Sequence, residues 1–144
     1  MRDLRKEVFK VIYLNNQNQI IETTDLFTGT VNTSSISPRE VMESAIKNNA
    51  TSLIFAHNHP SGNPKPSKSD KELTKDLVYD GSIMRIRVLD HLIIGSNRYF
   101  SFAGEGLIEE YELDFINLKM RGVSEAKWRL YRAKLDKSGV NPFT

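Results

Sequence analysis

The chain has 144 residues, 39% of them hydrophobic and 26% charged, which suits one soluble globular domain with a core of its own. It has no cysteine, which excludes disulfides, thiolate zinc sites and a cysteine nucleophile, agrees with a cytoplasmic location, and leaves any metal to His, Asp or Glu. A net charge of +2 is too small to argue nucleic-acid binding from the whole chain, and neither a signal-peptide core nor the ~18 apolar residues of a membrane span is found.

Glu7 to Leu14 predict a strand, because β-branched and aromatic residues dominate and apolar side chains fall on both faces. Asn15 to Asn18 predict a turn, and Gln19 to Thr24 a returning strand, so the chain opens with an antiparallel hairpin. A short third strand is expected from about Leu26 to Val31, with Gly29 as a bulge. Ser37-Pro38-Arg39-Glu40 reads as a helix start, with Ser37 capping, Pro38 at the first position and Glu40 closing a capping box. Val41, Met42, Ala45 and Ile46 form its apolar stripe, and Asn48-Asn49 end it. Thr51 to Ala56 is a short apolar run between loop signals, the pattern of a central strand buried on both faces. Residues 60–66 are a Pro/Gly loop. A second helix starts at Ser67, carries Leu73, Leu77 and Val78 on one face, and is expected to stop at Gly81. Ile83 to Ile94 predict a strand or strand pair, and Arg98 to Phe102 close the sheet. The order β-β-(β)-α-β-α-β-β is that of a single mixed-sheet α/β sandwich with hairpins at both ends. Residues 103–122 have weak periodicity, and Ser124 to Lys137 read as a helix with Trp128, Tyr131 and Leu135 on one face.

The densest chemistry lies in residues 57–70, which hold two of the three histidines and three of the five prolines. His57 and His59, at i and i+2 just past a strand, project the same way, so their imidazoles can meet one cation. Asp70, in the first turn of the next helix, is the best-placed third ligand for a tetrahedral site that keeps one position for water. Gly62 permits a sharp bend between them. The plain alternative is a pair of ordinary histidines followed by an N-cap, Ser67, with an acidic residue three positions on. Spacing alone leaves both readings open. His91, preceded by Asp90 in an apolar strand, reads as a buried structural histidine paired with that aspartate.

His57-Asn58-His59-Pro60-Ser61-Gly62 followed by Ser67-x-x-Asp70 resembles the JAMM metal motif of the MPN superfamily. Gly29-Thr30-Val31-Asn32, Pro38-Arg39-Glu40-Val41, Leu89-Asp90-His91-Leu92-Ile93-Ile94-Gly95 and Tyr99-Phe100-Ser101-Phe102 are similar to the C-terminal domain of RadC-like proteins. The likeness runs over about residues 4–111. It implies an MPN (JAB/cytidine-deaminase-like) sandwich with helices packed on the sheet, and a Zn²⁺-dependent hydrolase of peptide or isopeptide bonds. His57, His59 and Asp70 are its implied zinc ligands. The pattern also requires an upstream glutamate as general base. Glu7, in Glu7-Val8-Phe9, resembles the Glu-x-Phe that opens the RadC-like domain, with Glu22, Glu40 and Glu43 as rivals. Ser67 is implied as an oxyanion donor, a task that competes with capping its helix.

RadC-like proteins often carry an N-terminal helix-hairpin-helix region; this sequence is expected to start directly at the metal domain, residues 1–111, with residues 112–144 as a basic helical extension. After Glu105, Glu109, Glu110, Glu112 and Asp114, seven basic residues from Lys119 to Lys137 face only Glu125 and Asp136. That segment is expected to pack on the domain or on a second copy in a homodimer, or to contact a nucleic-acid backbone. The rivals to a zinc peptidase are thus a DNA-repair-associated protein using this tail and a metal-bound scaffold without turnover.

Overall fold

The computed structural model describes residues 6–29 and 33–124 and the single positions 133 and 137. The helix expected over Ser124–Lys137 and most of its basic residues lie outside them. The chain divides into two units, Met1–Glu112 and Leu113–Thr144.

The first unit is built on one five-stranded mixed sheet of order β2-β1-β3-β4-β5. Strands β1 (Glu7–Leu14) and β2 (Ile20–Gly29) form the opening hairpin. Its turn is closed by Asn15, whose Oδ1 accepts from the backbone of Gln17 and Gln19, while Asn18 adopts φ 58°. Residues Leu26 to Val31 form no separate third strand. β2 continues to Gly29, and of its two irregularities against β1 the one in this stretch lies at Leu26, where pairing jumps from Phe9↔Phe27 to Lys10↔Asp25. One extra residue there bends the strand without ending its pairing, and Gly29 is brought opposite Glu7.

Helix α1 (Pro38–Lys47) starts at the Ser37 cap with Pro38 in its first turn. Strand β3 (Ser52–Asn58) is central, antiparallel to β1 and parallel to β4 (Arg87–Ile94). Its side chains are buried on both faces of the sheet, with only Ile54 partly exposed, which explains why the run reads as apolar throughout. Helix α2 (Lys68–Met84) makes the crossover between the parallel strands, and β5 (Tyr99–Ser101) closes the sheet against β4. Phe9, Val11 and Tyr13 of β1, Leu53 and Phe55 of β3, Val41 and Ala45 of α1, and Leu77 of α2 are buried in one cluster. This is the mixed α/β fold expected from the pattern of elements.

Gly81 does not stop α2. The helix runs on to Met84 and is capped by Arg85 in the left-handed region, so Ile83 is helical and β4 begins only at Arg87. Gly81 is there for close approach: a Cβ at this position would stand 2.2 Å from the Ile86 carbonyl oxygen. A Gly81→Ala protein is expected to lose about 1–3 kcal/mol of stability, measured as a lower urea midpoint.

Helix α3 (Leu107–Ser124) covers the stretch of weak periodicity. Its first turns belong to the first unit and bury Ile108 and Tyr111 in the core. In the second unit Leu113, Ile116, Leu118 and Met120 are exposed, so the apolar residues of the helix do not share one buried stripe. Among the described residues no helix is long and apolar enough to cross a membrane.

Candidate metal centre

Three elements deliver four side chains to one point. Glu7 opens β1, His57 stands at the end of β3, His59 follows it by two residues, and Asp70 lies in the first turn of α2. His57 is wholly buried, opposite Phe9 on one neighbour strand and Ile93 on the other. Its Nε2 lies 3.8 Å from Glu7 Oε1 and 3.3 Å from Asp70 Oδ1, yet has no hydrogen-bond partner among the described residues. The His57 and His59 rings lie 4.9 Å apart. Glu7, His57 and His59 offer donor atoms all within 4.8 Å of one another, a group able to hold a metal ion.

Asp70 is 1% exposed and heavily engaged. Its Oδ2 accepts from the Ser67 backbone N–H at 2.8 Å and lies 3.0 Å from His59 Nε2, while Oδ1 accepts from the Thr33 hydroxyl at 2.7 Å. Burial pushes this carboxyl up, but the hydrogen bonds from His59 and the Ser67 N–H outweigh it and hold it well below the usual carboxylate range. The hydrogen bond to Asp70 in turn raises His59, helped by its Nδ1–H donating to the Asn63 carbonyl. Burial raises Glu7, opposed by nearby His57.

The loop between His59 and Asp70 is shaped by Gly62, at φ 86°, where a Cβ would also strike Ser96 Oγ at 2.3 Å. Ser67 and Asp70 make the reciprocal capping box of α2: Ser67 Oγ accepts from the Asp70 N–H at 3.1 Å while Asp70 accepts from the Ser67 N–H. The Ser67 hydroxyl also lies 3.1 Å from Ser69 Oγ, and because Thr33 gives its proton to Asp70, Ser69 donates to Thr33 and Ser67 to Ser69, so both the lone pair and the proton of Ser67 are engaged. The rival glutamates are engaged elsewhere. Glu22 accepts from the Thr23 N–H, Glu43 pairs with Arg39, and Glu40 is exposed in the first turn of α1.

Further contributors were not assigned to the site by sequence. Thr33, in a short 3-10 turn, reaches Asp70 from 37 residues away. Asn58 reaches back to β1: its Oδ1 accepts from Val8 N–H at 2.7 Å and its Nδ2 donates to the Lys6 carbonyl at 2.9 Å. One amide thus grips the backbone on both sides of Glu7. Asn58→Ala is expected to leave metal content unchanged while lowering any Glu7-dependent turnover about 10–100-fold, read by metal analysis beside steady-state kinetics.

His91 is buried, but it makes no dyad with Asp90. The Asp90 carboxylate turns away, accepting from the backbone of His91 and Ala103 and from Ser101 Oγ. His91 instead bonds His57, Nε2 to Nδ1 at 2.7 Å, and Thr74 Oγ1 at 2.7 Å from its Nδ1. Burial holds its pKa well below the ordinary imidazole value. An adjacent strand residue cannot turn its ring toward its neighbour's side chain across the pleat, which is why sequence adjacency misleads here.

The family model of the RadC-like JAB domain matches residues 1–107. The UPF0758 protein YeeS of Escherichia coli K12 is 51% identical over 108 residues, 75% of this chain and 73% of that protein. The UPF0758 protein PSHAa2643 of Pseudoalteromonas translucida is also 51% identical over 108 residues, which make up 48% of its length. A third, TTE0897 of Caldanaerobacter subterraneus, is 51% identical over 106 residues and 46% of its length. The chain therefore spans about half the length of the latter two. With the family model matching residues 1–107 and YeeS 51% identical over 73% of its own length, the chain belongs to the RadC-like JAB domain family.

Proposed function

We propose that this chain is a zinc-dependent hydrolase of peptide or isopeptide bonds. The observation that carries the reading is the buried Nε2 of His57, without a hydrogen-bond partner among the described residues and facing two carboxylates. A bare polar atom at such depth is costly unless something takes its lone pair. Two imidazoles with carboxylates are also the donor set of catalytic zinc. The residues therefore fit the ion: His57, His59 and Asp70 would hold it, with Glu7 kept as base.

When bound, Zn²⁺ supplies a Lewis acid that acidifies water and polarises a carbonyl. Glu7 takes a proton from the attacking water as its oxygen bonds to the carbonyl carbon, and returns that proton to the nitrogen as the C–N bond breaks. Burial raises the Glu7 carboxyl, which makes it a better base than an exposed glutamate. By the resemblance Ser67 donates to the developing oxyanion, which requires its hydroxyl to turn from Ser69.

The test is zinc content of protein purified without chelators, beside cleavage of peptide and isopeptide-linked substrates. Absence of zinc removes the reading. Because His59 holds a proton against Asp70, zinc uptake must displace it. Zinc affinity is therefore expected to rise about tenfold per pH unit below the raised His59 pKa and to level off above it. Calorimetry in buffers of different ionisation enthalpy would show the released proton.

A further inference from the structure

His91 has no part in the hydrolytic steps above, yet it lies directly behind His57. Its ring stacks on Phe102, with centroids 4.9 Å apart and planes 8° apart, and meets Phe9 and Phe55 edge-on. A cation in that aromatic enclosure would be costly, so the ring is neutral and has one donor and one acceptor nitrogen. Thr74 decides which is which. Its hydroxyl donates its single proton to the Asp70 carbonyl one helical turn back, at 2.7 Å. The same oxygen can then only accept, so His91 carries its proton on Nδ1. His91 Nε2 is left as a lone pair and accepts from His57 Nδ1–H.

We propose that Thr74 and His91 are positioning residues that lock His57 in its Nδ1–H tautomer, so that its Nε2 meets a metal without a proton to displace. The polarity of the chain matters because its middle member is ambivalent. The usual partner of a ligating histidine is a carboxylate or carbonyl, which can only accept. An imidazole can do either, and a reversed chain would place a proton on His57 Nε2, where it faces Asp70. The Thr74 proton, held by the Asp70 carbonyl, breaks this symmetry. The ligand of α2 and the tautomer of the ligand on β3 are thereby set by the same helical turn.

The purpose given to this chain of bonds rests on the proposed metal site; its direction does not, and the experiment separates the two. With only three histidines in the sequence, ¹⁵N-histidine labelling and long-range ¹H–¹⁵N correlation spectra can report each tautomer in metal-free protein. His57 is expected with Nδ1 protonated and Nε2 bare, and His91 with Nδ1 protonated. A proton on His57 Nε2 in the metal-free wild-type protein overturns the proposal. Thr74→Val leaves His91 Nδ1–H without an acceptor, so the chain is expected to reverse in part and zinc affinity to fall about 10–100-fold. Thr74→Ser, which keeps the hydroxyl, is expected to retain both the tautomer and the affinity. His91→Gln, with an amide oxygen in place of Nε2, is expected to bind zinc more tightly than His91→Leu. A folded Thr74→Val protein with the wild-type His57 tautomer also overturns the proposal. Failure of the wild-type chain to take up zinc would instead remove the hydrolase reading and leave the tautomer result standing.

Discussion

On the proposed hydrolase reading, a Glu7→Gln protein is expected to bind zinc as the wild type does and to hydrolyse amide substrates about 10²–10⁴-fold more slowly. Glutamine has nearly the size of glutamate and can still accept a hydrogen bond from water, but it cannot take the proton. The backbone around position 7 is held by Asn58 through the flanking Lys6 and Val8, so the substitution should not displace the strand. Metal analysis and single-turnover kinetics on one preparation check both halves. Since Glu7 also shares the metal-capable group with His57 and His59, loss of zinc would reassign it as a ligand. Unchanged hydrolysis would mean that the base is another residue.

Asp70→Ala is expected to abolish tight zinc binding and to lower the stability of the metal-free protein by about 2–4 kcal/mol. The carboxylate accepts from Thr33, Ser67 and His59 at once, and alanine leaves the Thr33 hydroxyl and the Ser67 N–H without their partner. The loss has a defined pH course. The folded Asp70 carboxyl titrates below its unfolded value, so its contribution is present above about pH 4 and is lost as the pH falls further. The folded His59 imidazole titrates above its unfolded value. Its contribution is full below about pH 6.5 and is lost as the pH rises through the folded pKa. The difference between wild type and Asp70→Ala should therefore be greatest between these limits and shrink on either side. Urea unfolding in the presence of chelator, from acid to alkaline pH, measures it. A difference that grew steadily with pH would contradict the His59–Asp70 pairing.

The two histidines are legible from the chain because their common direction is a local property. A period of two at the end of one strand needs no partner to be known. The capping box at Ser67 and Asp70 is likewise contained within four residues. Glu7 was accessible only through family resemblance, since nothing local distinguishes it from Glu22 or Glu43. The pairing of β1 with β3 is what brings it to His57. The end of α2 differs from the expected one because Gly81 serves contact rather than conformation, whereas α1 ends at Asn48 as expected. Gly81 looks like a stop signal, but its lack of a side chain lets α2 pass the Ile86 carbonyl. The bulge at Leu26 has no composition signal, because it follows from the register of β2 against β1.

The motif in residues 57–70 thus determines by itself which atoms can meet a cation, since strand alternation and a helix cap fix their directions over short range. What only the tertiary structure decided is the state in which those atoms are presented. Thr33 reaches Asp70, Asn58 grips the backbone around Glu7, and the His91–Thr74 pair orders the protons behind His57. Hydrogen bonds act over about 3 Å whatever the separation along the chain. Residues 17 to 52 positions apart can therefore orient one another only after the sheet and α2 have brought them together.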